Sequence, residues 1–158
     1  RYPAERYDMM KTCARLLLTA AFAGPVIAGW EAPLAALESA RAVWSAEGPQ
    51  SYRYVVQQNC YCMEAATQPI DVTVRGGRVV DFSGQAGLTV PDDTREALRA
   101  IPRWFDYVSQ SQSQGWHSVE VDYHPRLGYP TRIAIDRREM IADDEVTWRL
   151  TNLRALSR

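Results

Sequence analysis

The strongest constraint on the fold is an alternation between two hydrophobic periods, which runs through the chain twice in the same order. Apolar residues recur at helical spacing in residues 33–46 and again in 93–108. Each of these segments is followed by three segments in which apolar and polar residues alternate, as in strands with one buried face. The sequence therefore predicts an α+β fold built from a duplicated helix-strand-strand-strand unit. We expect one antiparallel sheet of about six strands with two helices on one face.

In the first half the pattern predicts a helix, a long strand and a hairpin. The helix covers residues 33–46. The strand that follows places its even-numbered residues inward as far as Cys62, because side chains alternate along a strand. In the hairpin, Gly76-Gly77 supplies the positive-φ positions of a tight turn, and alternation places Val80 and Phe82 inward on the second arm.

The second half begins with a longer helical segment. Asp93 and Glu96 are spaced as a capping box, with Asp93 as the N-cap, and apolar residues follow at helical spacing to Val108. Pro102 should interrupt or kink this helix, since it lacks a backbone donor and its ring clashes with the preceding turn. Three strands follow, whose inward residues are Val119, Val121, Tyr123, Ile133, Ile135, Val146, Trp148 and Leu150.

The N-terminal segment has the three-part layout of a secretory signal. Two basic residues, an apolar stretch too short to span a bilayer and small residues before a cleavage position after Ala28 occur in that order. Residues 1–8 are interpreted as an upstream extension and 9–28 as the signal peptide. The sequence therefore predicts a single domain, residues 29–158, that is exported to the periplasm or secreted and has no membrane span after cleavage.

The charge of the predicted domain argues against some partners. It contains fourteen arginines, no lysine and seventeen acidic residues. Because it has no basic run or polybasic patch, neither nucleic acid nor an anionic membrane surface is expected as a partner. We expect a protein or a small ligand instead, and no cofactor is predicted.

Cys60 and Cys62 are the only cysteines of the predicted domain, and an isolated pair in an exported chain favours a disulfide. Residues two apart in a regular strand are separated by roughly 6.6–6.8 Å. A disulfide places its Cβ atoms about 3.5–4.5 Å apart, so this bond requires a bend. Three interpretations stay open: a structural link or packed thiols, a redox pair, or two soft ligands for a metal such as Cu(I). An exposed pair beside a cleft favours redox or metal chemistry, and a fully buried pair favours a binding module in which the cysteines are structural.

Two further groups are weak candidates for sites. An acidic group offers oxygen ligands for a hard cation such as Ca²⁺, and its members are Asp136, Asp143, Asp144 and Glu145. The alternative is a turn in which aspartates accept backbone N–H bonds. Tyr129 and His124 are candidates for ligand contact, with loop or core packing as the alternative. Most Trp and Tyr residues are expected in the core, and an exposed cluster would mark a partner site.

Four stretches together resemble a known family: Cys60-Tyr61-Cys62, VTVRGGRVV, VDYHPRLGYPTRIAID and ADDEVTWRLTNL. The combination resembles a domain-of-unknown-function family of small secreted or lipoprotein-like bacterial proteins. Its members share a C-x-C, a V-x-V-x-x-G-x-V hairpin, a G-Y-P-T-x-I-x-I-D stretch and a terminal D-D-E. The chain departs from this pattern at His124-Pro125 and lacks a lipid-attachment cysteine. The resemblance covers about residues 38–154 and implies the fold and export, but no activity.

The sequence contains no nucleophile elbow, zinc-binding helix motif or phosphate-cradling loop, so no catalytic residue is assigned. Our leading hypothesis is a non-enzymatic exported module that binds a partner on its sheet face or loop edge, with structural cysteines. The alternative is an extracytoplasmic thiol-redox or metal-handling protein that uses the C-x-C pair. A hydrolase built on Asp122, His124 and Asp136 is the weakest hypothesis.

Overall fold

The computed structural model describes residues 31–157, so the predicted extension, signal peptide and cleavage position lie outside the described residues. No helix within 31–157 is long and apolar enough to cross a membrane. In chain order the elements are α1 (Glu31–Glu47), β1 (Tyr52–Cys60), α2 (Glu64–Thr67), β2 (Ile70–Arg75), β3 (Arg78–Gly84), α3 (Asp92–Ala97), α4 (Ile101–Ser113), β4 (Ser118–Tyr123), β5 (Pro130–Asp136), a 3₁₀ turn (Ala142–Asp144) and β6 (Glu145–Ala155).

The six strands form one antiparallel sheet in the order β3-β2-β1-β6-β5-β4. Helix, strand, strand, strand occurs twice, led by α1 and by α4, and the short helices α2 and α3 are additions to this order. The predicted α+β fold is confirmed. The two halves meet where the first strand, β1, pairs with the last, β6.

Within residues 31–157 the two long helices pack on the same face of the sheet. Inward residues of the strands and one stripe of each long helix form a single core. Its largest fully buried members are Trp104, Tyr52, Tyr54, Phe105, Leu37, Ile70, Ile101, Ile133, Ile135, Leu150, Val56 and Val72. Because side chains alternate along a strand, the polar residues between these positions lie on the opposite face, which we call the open face.

The helical segment predicted across Pro102 is two helices, α3 and α4, so the interruption expected near Pro102 is confirmed and the alternative, a kink in one helix, is not. Leu98 and Ala100 are extended, and Pro102 is the second residue of α4. Proline is tolerated there because the first helical N–H groups have no partner within the helix. Asp93 is not an N-cap: that position is Pro91, and the Asp93 carboxylate accepts the N–H of Thr94 at 2.7 Å.

Two strand tyrosines hold the break between α3 and α4 against the sheet. The Tyr52 hydroxyl accepts the backbone N–H of Ile101 at 2.7 Å. The Tyr54 hydroxyl donates to the carbonyl of Arg99 and accepts the indole N–H of Trp104 at 3.0 Å. Burial raises the pKa of Tyr52 to about 12 and raises that of Tyr54 further. The strand side chains therefore satisfy backbone groups that the broken helix leaves free.

The predicted inward position of Val80 is also wrong. A register shift in the β2–β3 hairpin pairs Val74 with Val79 and Thr73 with Asp81, so Val80 has no partner. Val80 is 55% exposed, whereas Val79 packs against the core. A bulge inserts one residue and reverses the alternation after it. The turn itself has the predicted conformation, with positive φ at Gly76 and Gly77.

Candidate functional site

The Cys60–Cys62 pair forms a disulfide at the end of β1. The Cα atoms are 5.3 Å apart, and the N–H of Cys62 donates to the carbonyl of Cys60 at 2.9 Å. The chain therefore turns sharply at Tyr61, as a disulfide between such near neighbours requires. Because β1 ends at Cys60, the assignment of Cys62 to the inner face of this strand is wrong. We call residues 60–63 the disulfide tip.

The disulfide tip presents two apolar side chains to solvent. Tyr61 is 86% exposed and Met63 is 72% exposed. Cys62 is exposed as well, whereas Cys60 is half-buried and packs against the core. A shallow depression of about 170 Å³ lies beside the disulfide and is lined by Asn59, Cys60, Tyr61, Glu145 and Thr147. The pair is thus neither fully buried nor fully exposed.

The base of the tip is anchored in the body of the domain. Helix α2 follows Met63 directly and buries Ala66. The side-chain amide of Gln57 on β1 donates to the carbonyl of Thr67 at 3.0 Å. The buried Gln68 donates to the carbonyls of Ala65 and Leu88, both at 3.0 Å. These bonds hold both ends of the segment, so the tip projects from a fixed support.

A second exposed apolar segment leaves the sheet at the same end. The start of β6 pairs with the end of β1, and residues 137–144 join β5 to β6 there. In this connection Met140 is 92% exposed and Ile141 is 38% exposed. Sequence patterning missed Tyr61, Met63 and Met140 as surface features, because alternation marks burial only within regular elements.

The acidic candidates form a turn held by arginine. Arg138 pairs with the Asp144 carboxylate through its side chain and donates its backbone N–H to Asp136 at 3.0 Å. The bond from Arg138 lowers the pKa of Asp144. His117 approaches Asp136 at 4.0 Å. Within the described residues no group of three or more His, Cys, Asp or Glu side chains is placed to hold a metal ion.

Tyr129 and His124 belong to a packed loop. Tyr129 is 5% exposed and packs edge-on against Trp44 and in a stack with His124. The His124 ring nitrogen Nδ1 accepts the backbone N–H of Leu127 at 3.1 Å, and that of Arg126 at 3.3 Å. The structure therefore supports the packing interpretation of both residues.

The residues of the hydrolase hypothesis do not come together. Asp122 lies opposite Arg132 near the start of β5 and interacts with it, at 3.8 Å. Asp136 is at the other end of β5, four residues or roughly 13 Å along the strand. The His124 ring is engaged by its own turn. No acid-base pair is assembled from these three side chains.

A cavity of about 470 Å³ lies elsewhere, between the beginning of α1 and the end of α4. It is lined by residues that include Leu34, Gln112 and Trp116. The cysteines, the acidic candidates, Tyr129 and His124 do not line it.

A family model described as a family of unknown function (DUF6174) matches residues 36–155. No curated protein and no solved structure matches the chain.

Proposed function

Because the chain belongs to DUF6174, a family of unknown function, we propose its function from its own sequence and geometry. We propose that it is an exported, non-enzymatic module that binds another protein through the disulfide tip. The observation that carries this proposal is the exposure of Tyr61 between two cross-linked residues. Within residues 31–157 every other Tyr and Trp is buried or half-buried.

Tyr61 has the properties of an anchor residue at an interface. Tyrosine and methionine are enriched at protein interfaces, and a few aromatic anchors supply most of the binding energy. Tyr61 and Met63 are both on the tip, and Met140 lies in the connection at the same end of the sheet. Exposed apolar side chains of this size gain free energy when a partner covers them.

The disulfide has a local effect that suits binding better than stability. A ring of three residues removes little entropy from the unfolded chain, about 1.6 kcal/mol by loop-closure arithmetic. Its main effect is therefore to fix the backbone on both sides of Tyr61. A side chain held in this way loses less conformational entropy when it binds.

Export is supported by two independent features. The N-terminal sequence has the layout of a secretory signal. The disulfide is the kind of bond that persists outside the reducing cytoplasm.

Site-specific photocrosslinking tests the proposal directly. A photoreactive phenylalanine replaces Tyr61 in the exported chain, with a control at the exposed edge residue Val80. We expect a discrete crosslinked protein in the extracytoplasmic fraction from position 61 and none from position 80. With the captured partner purified, Tyr61→Ala should weaken binding about 30-fold, the loss of a hot spot of about 2 kcal/mol. Equal labelling at both positions, or unchanged affinity of Tyr61→Ala, would contradict the proposal.

A second candidate function is supported by the exposure of Cys62 beside the depression at the tip. A thiolate of a partner dithiol would attack the Cys62 sulfur, form a mixed disulfide and release the Cys60 thiolate. The partner's second thiol would then release Cys62, leaving this pair reduced and the partner oxidised. Equilibration with glutathione distinguishes the two functions: a potential near −200 mV supports exchange, and one below about −300 mV supports a structural bond.

Metal handling is tested in the same preparation. The intact mass of protein purified without reductant or chelator should be two hydrogens below that of the dithiol. A bound metal would instead favour the metal-handling function.

A further inference from the structure

A polar depression of about 420 Å³ lies on the open face, at the opposite end of the central strands from the disulfide tip. Arg53 of β1 and Arg154 of β6 both line it, and their Cα atoms are direct partners in the sheet. Like charges directly opposite one another on two strands are unfavourable. In residues 31–157 no carboxylate oxygen lies within 4.0 Å of either guanidinium.

A second arginine pair on the same face shows how such a repulsion is compensated. Arg132 and Arg149 are also direct partners, on β5 and β6. There Arg132 interacts with Glu120 at 3.2 Å and with Asp122 at 3.8 Å. Among the described side chains, no carboxylate pairs with Arg53 or Arg154 in this way. The positive charge of these two arginines is therefore available to a ligand.

The backbone beside the pair is distorted at the same place. The β1–β6 register shifts between Arg53 and Val55. Asn152 of β6, with φ of 55°, is the one non-glycine residue of the described chain with positive φ, and it lines the depression. Bulges re-aim side chains and are frequent beside functional sites. A strained non-glycine conformation is likewise concentrated at such sites.

The other residues that line the depression indicate the charge and polarity of its ligand. Asp71 adds one negative charge, and its carboxylate accepts the Gln85 side-chain N–H at 3.0 Å. Two guanidinium groups and one carboxylate leave one net positive charge, which matches a monoanion. Val55 and Leu156 supply apolar surface. We propose that this depression binds a small organic monocarboxylate, with Arg53 and Arg154 on the carboxylate and Asn152 on a polar substituent.

NMR titration of the arginine side-chain N–H signals with sodium benzoate, at constant ionic strength, tests this assignment. We expect saturable shifts of Arg53 and Arg154 with a dissociation constant in the millimolar range. Arg154→Gln should weaken binding about tenfold. The control Arg75→Gln removes an exposed arginine of the β2–β3 hairpin. It should leave the dissociation constant for benzoate within about twofold of the parent value.

Asp71→Asn provides a variant in which binding should increase, which a folding defect cannot imitate. Removing this negative charge should strengthen benzoate binding about threefold. Non-saturating shifts up to about 50 mM benzoate would overturn the proposal. So would equal losses in Arg75→Gln and Arg154→Gln, or weaker binding in Asp71→Asn. Tighter binding of inorganic phosphate than of benzoate would overturn the monocarboxylate class.

Discussion

Replacing Tyr54 by phenylalanine measures how strongly the sheet holds the break between α3 and α4. The substitution keeps the ring and removes one oxygen that is fully buried. It leaves the Trp104 indole N–H and the Arg99 carbonyl without their partner. Each unsatisfied buried group costs about 1–3 kcal/mol, and the carbonyl is partly reached by water. We therefore expect a loss of about 2–4 kcal/mol in the free energy of unfolding.

Urea denaturation followed by tryptophan fluorescence and by circular dichroism is the assay. With a slope of about 2 kcal/mol/M, the midpoint should fall by about 1–2 M. Tyr52→Phe removes the acceptor of a single bond, to Ile101, and should cost less, about 1–2 kcal/mol. Tyr61→Phe is the exposed control and should stay within about 0.5 kcal/mol of the parent. A Tyr54→Phe variant as stable as this control would refute the reasoning.

Three further outcomes are expected. Reduction of the Cys60–Cys62 bond should lower stability by about 1.6 kcal/mol at most, and a loss above about 3 kcal/mol in urea titrations would show that the bond supports more than its own turn. Gly128→Ala should cost about 2–3 kcal/mol by thermal denaturation, because the added Cβ would lie 2.4 Å from the Ala40 carbonyl oxygen at a φ of +73°; unchanged stability would contradict this contact. Stability should also fall between about pH 10 and pH 12, because burial raises the pKa of Tyr52 to about 12 from an unfolded value of about 10. The free energy of unfolding that is present below pH 10 is lost as pH rises through the folded pKa. Tyr52→Phe should show a smaller fall over the same range.

Sequence periodicity was sufficient to predict the strands of the sheet, but not the places where the strands are irregular. Tyr52, Tyr54 and Val56 alternate with polar residues, and they are buried on one face as that pattern predicts. The pattern failed where local geometry departs from the period. The bulge that exposes Val80 and the turn that ends β1 before Cys62 carry no signal in hydrophobicity.

The candidate sites depend on pairings that no local pattern contains. Arg53 and Arg154 are far apart in sequence, and only the β1–β6 register places them side by side. The spacing of the cysteines drew attention to the disulfide, but the exposure of Tyr61 follows from the bend and from the anchoring of α2. Composition gave an acidic domain overall, which conceals a local excess of positive charge on the open face.

The pairing of the first strand with the last sets the order in which this protein can mature. A chain emerging from its N-terminal end can form the β1–β2–β3 meander early, but one edge of β1 stays unpaired until residues 145–155 are available. An open edge of this kind recruits other strands. Pairing over such long sequence distances is also slow. A protein truncated before β6 would therefore be left as two separate sheet fragments with open edges. The single sheet can form only once β6 is available to join them.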